Sequence, residues 1–432
     1  MKKFIYVTIL ALGVLVLIAP PAMAQEDKPF TIHGEVRFRG EYQNNAQDLD
    51  DNADDGGAFF PYRVRIAAEG KFSKNVSTWI ELQNSGVAGG SFFGPTKAGF
   101  VTASGEGVEL YQGNMTLDQL WSKNFSLRIG RQEIVAGNEL LLGDLDFYAG
   151  LSHDGGVGTW NLKNVNVMVW YTRPVEGSTT NAAGFLPPDQ VAIGATSTIH
   201  FLGGYADWTF KKDQSFDVYL MALNDRGATS NVQTIGGRYA HDATDRNGLI
   251  WNIEAAIQTG DASTGVDASG RVIEGWIGYN WKSGSKVHRV YGRLESATGD
   301  DGSTADYEGF IPLFGDFHNR TGRGDWFQLA DASTGLAGGV GAGGLQAVAV
   351  GYNGFYNDRH EFGGQYWSYS LQEDNAGDDD LGTAIDVWYG FNYSRNVNFV
   401  VSLSQLQPGD ALSGGGIDDS VTRLYGQARL RF

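Results

Sequence analysis

Arginine recurs in this sequence at alternate positions, as Arg37 and Arg39, Arg63 and Arg65, and Arg429 and Arg431, with further copies at Arg128, Arg131, Arg238, Arg289 and Arg293. A guanidinium is planar, permanently charged and fork-shaped, so a row of them can grip a carboxylate or phosphate and hand it on. These arginines are the candidate substrate-binding set, since selective passage needs several weak sites rather than one tight one. Acidic residues share their parity, at Glu35, Glu41, Glu69, Glu81, Glu254, Glu274 and Glu295. For any single arginine, an ion-pair network that only holds a wall in shape is therefore a competing reading.

Other chemistries find little support. The histidines at 33, 153, 200, 241, 288, 318 and 360 are scattered singly, and the adjacent His153-Asp154 has no serine elbow beside it. Neither a Gly-x-Ser-x-Gly elbow nor His-Glu-x-x-His occurs, so no catalytic residues are assigned. With no cysteine there is no disulfide framework, zinc-thiolate site or thiol nucleophile. Asp50, Asn52 and Asp54 begin a calcium-loop spacing, but Asp55 replaces the glycine and Pro61 the bidentate glutamate, leaving weak metal candidates only. No cofactor is expected.

The elements that must position the arginines follow from a strict period of two. Val36 and Phe38 alternate with Arg37 and Arg39; Tyr62, Val64 and Ile66 with Arg63 and Arg65; Ile253, Ala255 and Ile257 with Glu254 and Ala256. Such alternation marks strands with two different faces. A soluble sandwich has the same period, but here the polar face carries large charged side chains that suit a wet interior. Connections alternate in length: short near 71 to 75, 120 to 124, 162 to 164 and 394 to 396, long near 43 to 59, 84 to 106, 133 to 149 and 296 to 344. That rhythm predicts an all-β fold, a transmembrane antiparallel β-barrel of about 18 strands (16–18), with short periplasmic turns, long extracellular loops and both termini on the short-turn side. The segments near 150 to 161 and 198 to 210 alternate poorly.

Composition agrees. The 432 residues include 24 Phe, 19 Tyr, 11 Trp and 61 Gly against 10 Pro, with a formal charge of -18. Acidity argues against nucleic acid as a partner. Strand-end aromatics, including Tyr279 and Trp281, Tyr389, Phe391 and Tyr393, and Trp170 and Tyr171, read as girdles at a lipid bilayer's interfaces. Lys2 and Lys3, an apolar run from Phe4 to Ile18, and Ala22-Met23-Ala24 compose a signal peptide over 1–24, leaving residues 25–432 as a single barrel domain in the cell outer membrane. A membrane anchor is disfavoured because the apolar run is too short. Acidic loops, such as that holding Asp48, Asp50 and Asp51, either stay solvated or bridge lipopolysaccharide through divalent ions. The final Phe432, behind Leu430, Ala428 and Gly426, looks like the signal read by barrel-assembly machinery.

The run Leu127-Arg128-Ile129-Gly130-Arg131-Gln132-Glu133, followed by Gly137, Leu141-Leu142-Gly143 and His153-Asp154-Gly155, resembles the alginate export family of outer-membrane porins. Tyr307-Glu308-Gly309-Phe310 to Asp325 is similar to that family's aromatic and glycine-rich stretch. The resemblance implies a barrel of about 18 strands with an arginine-lined conduit for an anionic polysaccharide. Arg131 falls on lipid-facing parity unless the strand bulges at Gly130. Two functions compete: a porin for anionic or carbohydrate solutes, and a secretion conduit for an anionic exopolysaccharide such as alginate. The second needs a gate, and with short periplasmic turns that gate must come from outer loops. The 296 to 344 connection is expected to fold inward, carrying Asp316, Arg320, Arg323 and Asp325 into or over the mouth.

Overall fold

The computed structural model describes residues 30–46, 49–50, 52, 56–88, 107–175, 198–227, 229–243, 246–316, 318–327, 343–373, 377–412 and 419–432. The expected signal peptide and the loop carboxylates Asp48, Asp51, Asp54 and Asp55 lie outside them. Among the described residues the strands are β1 (Phe30–Asn44), β2 (Gly57–Phe59), β3 (Pro61–Ser73), β4 (Val76–Val87), β5 (Glu109–Asp118), β6 (Phe125–Gln132) and β7 (His153–Asn161). There follow β8 (Val165–Val175), β9 (Ile199–Lys211), β10 (Gln214–Asp225), β11 (Ser230–His241), β12 (Gly248–Ser263), β13 (Val266–Asp267) and β14 (Arg271–Ser283). The last are β15 (Lys286–Ala297), β16 (Leu345–Tyr356), β17 (His360–Ser370), β18 (Asp380–Asn392), β19 (Val397–Pro408) and β20 (Val421–Arg431).

All belong to one antiparallel sheet. The short β2 and β13 only extend their neighbours, so the wall has 18 staves among the described residues. It closes where β1 pairs with β20, from Glu35 opposite Arg431 to Asn44 opposite Thr422. Phe432 continues that seam: its N–H bonds the Gly34 carbonyl at 3.0 Å, and its ring leaves no room for a Cβ at Gly34. Closure leaves no strand edge to face lipid, where each unpaired backbone group costs several kcal/mol.

Side-chain parity is as the sequence predicts. Phe38 is 57% exposed while Arg37 and Arg39 on either side are 5% exposed. Ile66, Ile80, Ile253, Ile277, Val350, Ile385 and Val401 make the outward apolar band; Arg63, Glu254, Glu274 and Glu295 point inward.

Two long connections fold into the barrel. One joins β6 to β7 through residues 133–152; the other leaves β15 at residue 298 and is described as far as Phe327. They meet along a short parallel seam, Leu142 beside Phe314, with the Gly143 N–H on the Phe314 carbonyl (2.7 Å) and the Asp316 N–H on the Glu139 carbonyl (2.9 Å). Gly315 lies so close to the Leu140 carbonyl that any Cβ would collide with it. Leu140, Leu141, Leu142, Phe310, Leu313 and Phe314 pack on Trp170, Phe201, Tyr205, Tyr219 and Met221 of the wall. Each such burial is worth about 1.5–3 kcal/mol, which is what draws a loop off the rim and into the interior. A second cluster seats Trp326 and Phe327 on Trp367, Tyr369, Leu381, Leu406 and Val421.

This packing explains the weak alternation of β7 and β9. Their inward residues Val157, Phe201 and Tyr205 face an apolar loop instead of water. It also corrects one expectation: Trp170 is not a girdle residue but points inward, 4% exposed, against Phe201.

Candidate functional site

The barrel seam brings the first, second and last staves side by side, and with them their arginines. In register, Arg37 stands between Arg63 on β3 and Arg429 on β20, and Glu35 between Arg65 and Arg431. Guanidinium groups packed this closely repel unless acceptors separate them. Glu35 supplies one, taking Arg63 Nε and Arg431 Nε each at 2.9 Å.

The 133–152 loop supplies the rest, largely from its backbone. The Asp146 carbonyl accepts from Arg37 (2.6 Å) and Arg63 (3.0 Å), the Phe147 carbonyl from Arg39 (2.9 Å), and the Ala149 carbonyl from Arg65 (2.7 Å); Arg37 also bonds the Tyr148 carbonyl. Arg39 lies 3.4 Å above the Phe147 ring, and Arg65 3.8 Å above that of Tyr111. The Asp146 carboxylate reaches Arg63 at 2.6 Å and Arg65 at 3.1 Å. Burial alone would raise its pKa, but Arg63, Arg65 and Arg37 hold it down to about 2. Much of the arginine row therefore tethers a loop, a role that alternation in the sequence did not reveal.

The second inward loop is fixed from its own side. Arg320 binds the Glu274 carboxylate and the Asn138 carbonyl (2.8 Å), so it locks its loop to β14 and to the first loop at once. Asp325 takes Arg423 (3.2 Å), which also bonds Glu41 at 2.9 Å. Burial works against the Asp325 anion, yet His318 and Arg423 keep its pKa below the usual carboxylate range. The Arg323 N–H bonds Asp386 (2.9 Å) and its guanidinium bonds the Tyr425 hydroxyl (3.1 Å). Asp316, Arg320, Arg323 and Asp325 are thus all held against the inner side of the wall or the first loop.

Between the loop tips and the wall lies a cavity of about 280 Å³, lined by Arg37, Arg39, Arg323 and Arg429, by Asp146, Asp316 and Glu361, and by Phe147, Trp388 and Tyr425. Arg429 makes one bond here, to Asn398 at 3.2 Å. The cavity offers forked donors beside aromatic rings, a combination that can hold a carboxylate and a sugar face together.

The remaining candidates are distributed elsewhere. Arg128 is tied to Gln132 and the Glu133 carbonyl, Arg238 to Asp217 (2.7 Å), Arg289 to Asn280 (3.0 Å) and Arg293 to Glu295 (2.8 Å), all on the inner face but away from the seam cluster. Arg131 is a correction. Register through β5, β6 and β7 runs unbroken past Gly130, so no bulge turns it inward. It stands on the outer face, paired with Asp154 at 2.7 Å, both about half exposed. Of the calcium-loop candidates, Asn52 simply caps Asp50 through its amide and N–H, and Asp54 is not described. Acidic groups do gather in the loops, as Glu133, Asp144 and Asp146 and as Glu139, Asp144 and Asp316.

Solved structures of similar fold are outer-membrane channels. OccAB1 of Acinetobacter baumannii superposes with a TM-score of 0.65 at 12% identity, over 93% of this chain and 96% of that one. OccK2 of Pseudomonas aeruginosa gives 0.62 at 12% identity over 93% and 97%, and it has also been solved in complex with glucuronate. A BenF-like porin from Pseudomonas fluorescens gives 0.62 at 14% identity over 94% and 99%. Identities this low speak for the fold alone. No curated protein matches the chain. A profile described as alginate export matches residues 29–425, from just before the first stave to within the last; the chain belongs to the alginate export family.

Proposed function

We propose that this protein is a channel passing anionic or carbohydrate solutes through an arginine-lined interior. The observation that carries the reading is the seam cavity, where Arg37, Arg39, Arg323 and Arg429 face Phe147, Trp388 and Tyr425. A solute carboxylate would exchange between neighbouring guanidiniums while a sugar ring slides over the aromatic faces. Each contact is weak and replaceable, as conduction requires. The glucuronate bound by OccK2 is of the same chemical class. The leader over 1–24 would carry the chain across the inner membrane, Phe432 would engage the assembly machinery, and acidic loops would meet lipopolysaccharide.

Reversal potentials in planar bilayers under a salt gradient test the reading. Anion preference is expected, and Arg323→Gln with Arg429→Gln should reduce it, since neither side chain tethers the 133–152 loop. Clear cation preference in the unmodified protein would reject the arginine reading.

The family profile favours a second function, secretion of an anionic exopolysaccharide such as alginate. Its requirement for a gate on the outer side is compatible with two inward loops locked together through Arg320. Release of labelled polymer from vesicles, with and without the loops, separates export from uptake.

A further inference from the structure

We infer that the outer face of β6 to β10, at the long-loop end of the barrel, is a docking surface for the phosphorylated headgroup of lipopolysaccharide, gripped by Arg131, Arg173 and Arg226. The surface lies outside the barrel, so it does not depend on which solute the interior passes.

Parity and register place the three arginines. Arg131 on β6 stands opposite Asp154 on β7, and Asp154 opposite Arg173 on β8. Arg226 continues β10, its N–H on the Thr198 carbonyl at 3.2 Å, two residues beyond Asn224, which pairs with His200 of β9. The charges of Arg173 and Arg226 both act on His200, so the two guanidiniums flank one stretch of β9. All three arginines are exposed. Nearer the periplasm the same faces carry Ile129, Val169, Leu202 and Leu220, part of the outward apolar band. The arginines therefore begin where that band ends. Tyr171, between Val169 and Arg173, meets His200 Nδ1 through its hydroxyl at 2.6 Å, the amphipathic placing of a girdle residue. A charge on a barrel's lipid face costs most at the midplane and little at the interface, which is also the level of lipid phosphates.

The sign of the charge selects the occupant. From β16 to β20 the outward positions just above the apolar band hold Gln346, Ser368, Thr383, Gln405 and Thr422, uncharged side chains that suit any headgroup. On β6 to β10 three guanidiniums meet one outward carboxylate among the described residues, Asp154, which takes Arg131 at 2.7 Å. Arg131 and Arg173 have further partners, yet each guanidinium offers five donors. Arg226 is the least committed, since among the described residues only its backbone N–H is hydrogen-bonded. Forked cationic donors match phosphate oxygens. Adjacent staves lie about 4.8 Å apart, so Arg131 and Arg226, four staves from one another, span about 19 Å. One free phosphate cannot bridge that width. A headgroup bearing more than one can, with its acyl chains laid along Ile129, Val169, Leu202 and Leu220.

Native mass spectrometry of the detergent-solubilised full-length protein tests the surface. The probes are diphosphorylated lipid A, the membrane-embedded part of lipopolysaccharide, its monophosphorylated form, and inorganic phosphate as competitor. The diphosphorylated lipid should bind more tightly than the monophosphorylated one and resist displacement by inorganic phosphate. Arg173→Gln with Arg226→Gln should weaken its binding about tenfold or more, whereas Arg271→Gln, an exposed arginine on β14, should leave it unchanged. Thermal unfolding checks that the double variant is folded; should it not be, Arg226→Gln alone must still weaken binding about threefold. Equal binding of the two lipids, displacement by inorganic phosphate, or full binding by the folded variant would overturn the inference. Cation preference in the unmodified channel would instead defeat the arginine-lined pathway inside and leave the lipid result untouched.

Discussion

Arg320→Gln tests how the interior is held shut. The guanidinium is 8% exposed, and its partner Glu274, 4% exposed, lies in register between Glu254 on β12 and Glu295 on β15. Three carboxyl groups in a row on adjacent staves need a cation among them, and Arg320 is the one a loop delivers. Removing it leaves buried acid uncompensated, at a cost of about 3–5 kcal/mol to the docked arrangement. The Asn138 carbonyl loses a donor as well. Since about 1.4 kcal/mol is a factor of ten, the undocked population should rise by roughly two to three and a half orders of magnitude. Single-channel recordings should then show larger or flickering conductance. Adding Glu274→Gln removes the unpaired charge and should restore much of the quiet state, a coupling that a double-variant cycle reads directly. Conductance and noise identical to the unmodified channel in Arg320→Gln would refute the latch.

Deleting residues 300–323 removes Phe310, Leu313, Phe314 and Arg320 from the interior, so single-channel conductance should increase; unchanged conductance would show that the segment does not narrow the path. Arg63→Gln leaves Glu35 and Asp146 without their main partner and should lower thermal stability by several kcal/mol, whereas Arg429→Gln should shift reversal potential with little change in unfolding temperature. The loop seam should loosen with alkali. Burial, with the charges of Asp146, Glu133 and Asp316, pushes the Asp144 carboxyl up to about 7, and burial pushes Asp316 up to about 6. A carboxyl raised in the docked state contributes fully below about pH 4 and loses that contribution as pH climbs to about 7, so conductance should grow from about pH 4 to pH 7 and Asp144→Asn should flatten the rise. His318, which burial keeps neutral down to about 4, opposes this only at more acid pH. Arg131→Gln, in a pair with Asp154 on the outer face, should leave ion selectivity untouched, and a shift in reversal potential would show that Arg131 reaches the conducting path.

Much of the barrel is legible in the sequence because its two solvents are so different. Phe38 beside Arg37, or Ile253 beside Glu254, reports lipid on one side and the interior on the other without any knowledge of partners. The turn rhythm fixes which strands are neighbours, and from that the meeting of Arg37 and Arg429 follows. What alternation cannot report is an interior that is not water. Where the 133–152 loop presses on β7 and β9 the inward side chains turn apolar, and there the pattern fades. The loop did leave one signal: Leu140, Leu141 and Leu142 form an apolar run inside a connection otherwise rich in acid, which water would not welcome. The loop carbonyls that bond Arg37, Arg39 and Arg65 left none, since backbone carbonyls are present at every residue and carry no sequence signature.

That last point bears on selectivity. Had the arginines been neutralised chiefly by carboxylates, the seam would be a silent network and the acidic chain would favour cations. Instead the loop meets Arg37 and Arg39 mainly with peptide oxygens, which orient a guanidinium and satisfy its N–H groups but cancel none of its charge. Asp146, Glu35 and Glu133 are shared among Arg63, Arg65 and Arg431, and Glu41 lies 3.3 Å from Arg39. Loop carboxylates on the outer rim act across water and are screened beyond about 8–10 Å. On the proposed channel reading, Arg37 and Arg429, which no carboxylate pairs among the described residues, are the charges a solute at the seam would meet. On that reading, the same carbonyl bonds that hold the loop in place leave Arg37 free to attract an anion.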